Sequence, residues 1–352
     1  MIITQLQYFL LFVSSYALVG VLTPLMRKIA LSKEILDHPN SAHKSHSQPT
    51  PYLGGVAIIL GVITVTYGSL LLSDLSVKNF LLATSLLGPA IAMGLIGLWD
   101  DIKQLPPLPR FIGQTIAGVV VATILILSNN LGNPTGSTPL DVFISIIWVV
   151  GICNSINFFD NLDGGAAGTS AITAIALTFI AVNGDQSLIA SLSLVLTGST
   201  LGFLIWNRSP ARIYMGDAGA LFLGVLLATL TIRLNPETNS NIASFSIPVL
   251  LLAVPILDTS VAVISRLRRK ISPFQGGKDH LSHRLIRNGL SRKKSAVVLW
   301  LLSAFFALLA VVISTDFLNQ DLNLVIGATI IWVVLLVGFL KLKIHKSELQ
   351  SN

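Results

Sequence analysis

The chain has 352 residues, of which 53% are hydrophobic and only 11% charged, with a mean hydropathy of +0.77. Soluble domains average about 25% charged residues, so this composition excludes a soluble globular fold and predicts a polytopic membrane protein. The net charge of +7 lies in loops between apolar runs, a membrane-topology pattern that argues against a nucleic-acid partner, and the lone Cys153 excludes a disulfide framework or a CxxC metal site.

A spanning helix needs about 20 apolar residues. Eleven runs qualify in chain order, near 4–25, 54–73, 80–99, 111–128, 139–157, 166–183, 187–206, 219–234, 244–264, 296–314 and 322–341. No basic residue precedes the first run and Arg27 and Lys28 follow it, so it reads as a retained helix rather than a cleaved leader. With these spans, 21 of the 23 lysines and arginines fall on one side, all except Lys78 and Arg233. The positive-inside rule makes that side cytoplasmic. The expectation is an all-α integral membrane protein of about eleven transmembrane helices, with the N-terminus outside and the C-terminus cytoplasmic. It is one domain, whose site is built from cytoplasmic loops near 26–53, 100–110, 158–165, 207–218 and 265–295.

The first of these loops carries Asp37, Pro39, Asn40, His43, Lys44 and His46, then Pro51, Gly54 and Gly55 at the next span. Lys44 and His46 could meet a phosphate or a lipid headgroup. Asp100 and Asp101 close the third span, Asp160 and Asp163 follow the fifth, and Asp217 opens the eighth. Carboxylates at span ends are costly and usually functional. All five fall on the cytoplasmic side although the topology count ignored acidic residues, which points to one shared metal and phosphate site. Asp141, Asp185, Asp316 and Asp321, on the other side, read as solvated loop residues.

Asn154, Asn157 and Asn161 are spaced to share a helix face, and with Asp160 they suit sugar hydroxyls, a uracil edge or a hydrated cation. Gly164 and Gly165 allow a sharp turn beside a ligand. Asp217 alone could be a helix cap; beside four other carboxylates it reads as a magnesium ligand, since Mg2+ takes one or two carboxylates plus substrate phosphates. In the last loop, His280, His283 and Arg284 can hold a diphosphate through charge-assisted hydrogen bonds. A zinc pair on His280 and His283 is the rival reading, without an obvious third ligand. Asp258 follows Pro255 in the ninth span, as a supporting partner of the site or a structural hydrogen bonder.

From Asp37 to Arg284 these segments together resemble the polyprenyl-phosphate N-acetylhexosamine-1-phosphate transferases, which include the phospho-MurNAc-pentapeptide translocase. The non-peptidoglycan branch is the more similar one. The resemblance implies roles for Asp100 and Asp101 as the paired catalytic aspartates, with Asp160 beside them. It implies Asp217 as metal ligand, with Asp101 sharing the ion. Lys44, His46, Asn157, Asp163, His280, His283 and Arg284 would bind substrate. His43, Asn161, Ala220 and Ser282 depart from residues common in the family. The implied reaction moves a sugar-1-phosphate, N-acetylglucosamine-1-phosphate first among the candidates, from a UDP-sugar to undecaprenyl or another polyprenyl phosphate, releasing UMP. Mg2+, with Mn2+ as substitute, a bacterial plasma-membrane location and a homodimer are further implications. A peptidoglycan translocase and, in another class, a secondary transporter are the alternatives.

Overall fold

The computed structural model describes residues 4–37, 49–72, 76–128, 135–236, 238, 240–273, 277–315 and 321–342. Lys44 and His46, with His43, lie outside these residues, as does Asp316. The described chain is helical except for one short hairpin. Helix α1 (Gln5–Ser32) starts at a capping box on Thr4. It leads into β1 (Leu36–Asp37) and β2 (Thr50–Pro51), paired antiparallel with Leu36 opposite Pro51. Then follow α2 (Gly54–Leu72), α3 (Val77–Lys103), α4 (Pro107–Leu127), α5 (Thr138–Phe159), α6 (Gly165–Asn183), α7 (Ser187–Asn207) and α8 (Gly216–Arg233). The remainder is α9 (Asn241–Leu251), α10 (Ala253–Arg268), α11 (Leu281–Arg287), α12 (Arg292–Ser314) and α13 (Asp321–Lys341).

Among the described residues, ten helices are long and apolar enough to cross a membrane, and the pair α9 and α10 makes an eleventh if it is one span. The expected span 244–264 is therefore not a single rod: the chain bends by 73° between the two helices. Pro255 supplies the cause. It has no N–H to give to the carbonyl of Leu251 four residues back, and that carbonyl accepts from Thr173 Oγ1 instead, at 2.8 Å. Across the bend, Ala253 O accepts from Trp332 Nε1 at 3.0 Å. A broken helix at membrane depth survives only where neighbours satisfy the freed backbone groups, and α6 and α13 do so here.

Helix α8 is the centre of the bundle, with 83% of its apolar stretch buried, whereas α13 has only 11% of its own buried. Close approach around α8 depends on glycine. A Cβ on Gly55 would lie 2.1 Å from Gly219 N, and one on Gly97 would lie 2.3 Å from Asp217 O. The main chains of α2 and α3 thus rest directly on the start of α8. Cys153 is fully buried where α5 crosses Gly224 of α8, as a small apolar residue should be. On the opposite side of the bundle, Asp141 departs from expectation. It is buried in the first turn of α5, where it accepts from Thr135 N.

Candidate active site

The start of α8 collects the carboxylates. Its first amides have no partner within the helix, and Asp101 from the end of α3 supplies one: Oδ1 accepts from Asp217 N at 2.8 Å and Oδ2 from Ala218 N at 3.0 Å. Gly216, at φ +73°, leaves room for this contact, since a Cβ there would stand 2.5 Å from the Asp101 carboxylate. Asp217 is therefore not the cap of its own helix; Asp101 does that work and leaves the Asp217 side chain to the site. From the other side, Gly54 N and Gly55 N donate to the carbonyls of Tyr214 and Met215, and Tyr214 N donates to Pro51 O. The hairpin and the start of α2 are bonded main chain to main chain onto the segment that carries Asp217.

Asp217 Oδ1 accepts from Asn157 Nδ2 at 2.6 Å, and Oδ2 lies 3.0 Å from Arg110 Nη1. The same guanidinium nitrogen lies 2.8 Å from Asp100 Oδ2, and Asp100 Oδ1 accepts from Leu105 N. Arg110 thus bridges the two carboxylates with one positive charge. Sequence reasoning counted Arg110 only as a loop cation; Pro107 and Pro109, which start α4 just after the carboxylate pair, were the signal that the next basic residue would be turned back toward them.

Asp160, at the end of α5, accepts no hydrogen bond from a described residue. Burial first, then the charges of Asp217 and Asp163, push it up to about 7. The three asparagines do not act as one face. Asn154 pairs with Gln114 of α4, Asn157 holds Asp217, and Asn161, past the helix end, bonds Ser282 Oγ. Asp163 is buried, with Oδ2 accepting from Ala211 N at 3.2 Å. Beside it Gly164, at φ +72°, donates to Asn207 Oδ1 and its carbonyl accepts from Trp300 Nε1. In this structure Asp163 tethers two loops.

The 265–295 loop departs most from expectation. Arg284 is fully buried, and its guanidinium donates to the carbonyls of Asp279, Phe339 and Leu342 and to Ser265 Oγ. A phosphate contact from Arg284 is thereby displaced by an internal one: it caps the C-terminal end of α13. His280 is also buried and both ring nitrogens are taken, by Asp258 and Arg266. His283 is half-buried, and burial first, then neighbouring positive charges, Arg287 and Lys278 among them, push it down to about 3. Asp279 is held below the usual carboxylate range, because the forked Arg266 contact outweighs its burial.

A cavity of about 300 Å³ opens beside the carboxylates between α4, α5 and α8. Arg110, Gln114, Asn154 and Asn157 line one part; Pro107, Leu108, Phe111, Phe158 and Leu221 line the rest. Among the described residues no group of three or more His, Cys, Asp or Glu forms a closed metal cage. The donor set at Asp100 and Asp217 is all oxygen, close enough to share one cation. It suits a hard ion that takes one or two carboxylates and completes its shell with water and phosphate, and not a zinc on His280 and His283, since both ring nitrogens of His280 are already taken.

Residues 83–235 match the family described as Glycosyl transferase family 4. A probable undecaprenyl-phosphate N-acetylglucosaminyl 1-phosphate transferase of Bacillus subtilis is 34% identical, over 86% of this chain and 84% of its own length. A decaprenyl-phosphate N-acetylglucosaminephosphotransferase of Mycolicibacterium smegmatis is 32% identical, over 84% and 79%. A phospho-N-acetylmuramoyl-pentapeptide-transferase of Staphylococcus carnosus is 27% identical, over 85% and 95%. With an identity above 30% across nearly the whole of both chains, the protein is a multi-pass membrane enzyme that belongs to glycosyl transferase family 4.

Proposed function

We propose that this chain transfers N-acetylglucosamine-1-phosphate from UDP-N-acetylglucosamine to undecaprenyl or another polyprenyl phosphate, releasing UMP, at the cytoplasmic face of a bacterial plasma membrane. The observation that carries the reading is the Asp100–Arg110–Asp217 constellation, whose Arg110 also lines a largely apolar cavity. It offers paired charges for a diphosphate and an apolar wall for a lipid. The names of the Bacillus subtilis and Mycolicibacterium smegmatis relatives, both above 30% identity, favour N-acetylglucosamine over the MurNAc-pentapeptide of the more distant Staphylococcus carnosus one.

Phosphoryl transfer relies on positioning and charge neutralisation. The acceptor's phosphate oxygen attacks the β-phosphorus of the nucleotide sugar, the bond from that phosphorus to the bridging oxygen breaks, and the oxygen leaves with UMP. A phosphate monoester is largely dianionic at neutral pH, so the acceptor needs no base for most of its population. Asp100 then serves to position charge rather than to remove a proton, and direct attack is preferred over a phospho-aspartate. Asp217 with Asp100 would hold Mg2+, or Mn2+ in its place, with Asp101 behind fixing the backbone of Asp217. When bound, the ion would neutralise developing charge on the diphosphate. Asn157 orients Asp217, and Arg110 is placed to turn from the carboxylates to a phosphate.

The test is UMP release by the purified protein in detergent with undecaprenyl phosphate and UDP-N-acetylglucosamine, with and without magnesium. Magnesium-dependent UMP is expected. Asp217→Asn is expected to lower turnover by about 100-fold or more, the usual scale for an electrostatic group at a transition state, in a protein that still elutes as a folded species. Unchanged turnover in that variant would remove the metal assignment. UMP only from UDP-MurNAc-pentapeptide would move the chain to the peptidoglycan reaction. Silence with every donor would revive a transporter.

A further inference from the structure

The bent span carries a carboxylate that the transfer reaction does not use directly. Asp258, in α10, is completely buried. One oxygen accepts from His280 Nδ1 at 2.7 Å and the other from Leu281 N at 2.7 Å. Both bonds cross to the start of α11, so a buried carboxyl group ties the broken helix to the histidine loop. The other ring nitrogen of His280 lies 3.2 Å from Arg266 Nη2. A guanidinium only donates; Nε2 must therefore accept, and the imidazole proton sits on Nδ1, facing Asp258. Arg266 is fixed in turn by a two-bond fork onto buried Asp279, which Arg269 also contacts at 2.7 Å.

This chain of polar groups ends on the cavity. The Arg266 guanidinium lies 5.5 Å from the ring centre of Phe158, and His280 meets the same ring edge-on at 6.0 Å. Phe158 lines the cavity, next to Asn157, which holds Asp217. His280 also packs against His283, at 6.1 Å between ring centres. The ring of His280 therefore supports both the cavity wall and the half-buried imidazole of the loop.

We propose that Asp258 is a positioning residue for the transfer reaction: by fixing the tautomer and ring plane of His280 it sets Phe158 and His283 in place beside the diphosphate. The assignment rests on the functional reading above. It differs from a plain structural staple in one measurable respect. A staple changes how much protein folds, whereas a positioning group changes turnover in the protein that has folded.

The experiment compares wild type, Asp258→Asn, His280→Gln and the double variant as full-length protein in detergent, by UMP release from UDP-N-acetylglucosamine and undecaprenyl phosphate with magnesium. Each single variant is expected to lose about 100-fold in kcat, the scale of a misplacement of about 1 Å, with the donor KM nearly unchanged. Residues acting as one unit are not additive, so the double variant should fall no further than the worse single one. Wild-type kcat in either folded single variant, a loss confined to KM, or multiplied losses in the double variant would each overturn the assignment. If Asp258→Asn does not fold, His280→Gln decides alone, because it leaves the bond from Leu281 N to Asp258 in place. A wild type that releases no UMP from any UDP-sugar overturns the functional reading, and the assignment falls with it.

Discussion

Asp160 and His283 show how single side chains tie the site to pH, in opposite directions. The Asp160 carboxyl is pushed up to about 7 from its ordinary 3.8. Between those values the folded chain binds the proton more tightly than the unfolded chain. Stability therefore falls as pH rises through that window, and the loss is complete above it. Asp160→Asn should remove the effect. In the presence of a chelator its Tm is expected to exceed that of wild type by roughly 2–4 °C at pH 8, with a margin that shrinks toward zero as pH is lowered to 4. A margin independent of pH would dissociate Asp160 from the effect. His283 runs the other way: held down to about 3, it weakens the fold only as pH drops below its ordinary value of 6.5. At this scale the sequence was informative about carboxylates, because an ionised group at the end of an apolar run is conspicuous. It was uninformative about partners. Nothing near Arg284 in the sequence announces that its guanidinium will be used up by carbonyls more than fifty residues away, and nothing near Asp258 announces His280.

At the scale of elements, the decisive contacts are between main chains. Gly97 lets α3 lie against the carbonyl of Asp217, and a Cβ there would come within 2.3 Å of it. Gly97→Ala is expected to destabilise the protein by about 1–3 kcal/mol, as overpacking does, and to lower UMP release because it pushes Asp217 away from Arg110. Gly88, on the same helix with nothing within 4 Å of its Cβ position, is the control, and Gly88→Ala should leave both Tm and turnover near wild type. If the two variants behave alike, close backbone approach is not what sets the site. The ends of most helices were legible from hydropathy, since apolar runs and polar breaks alternate cleanly. The bend at α9 and α10 was not, because both halves are equally apolar. Pro248 and Pro255 were the local hint, and the groups that make the bend tolerable, Thr173 and Trp332, come from other helices.

For the whole molecule, burial grades from α8 at the centre to α13 at the edge, and the candidate site groups follow that gradient. Asp217 opens the most buried helix, while the 265–295 loop, carrying His280 and His283, is roped to the least buried one by Arg284 through Phe339 O and Leu342 O. The eleven-run reading anticipated the bundle and the gathering of carboxylates, but hydropathy cannot rank helices by depth, since lipid-facing and core-facing residues are both apolar. The tether has a consequence for the bilayer itself. A spanning helix with so little of its surface covered would answer a change in hydrocarbon thickness by tilting, and a tilt of α13 would pull, through Arg284, on the loop that holds the histidines. The enzyme should therefore read membrane thickness. In bilayers of matched headgroup but shorter or longer acyl chains, turnover is expected to peak at one chain length and fall on either side. Arg284→Lys, which loses the forked grip on the α13 carbonyls, should flatten that dependence.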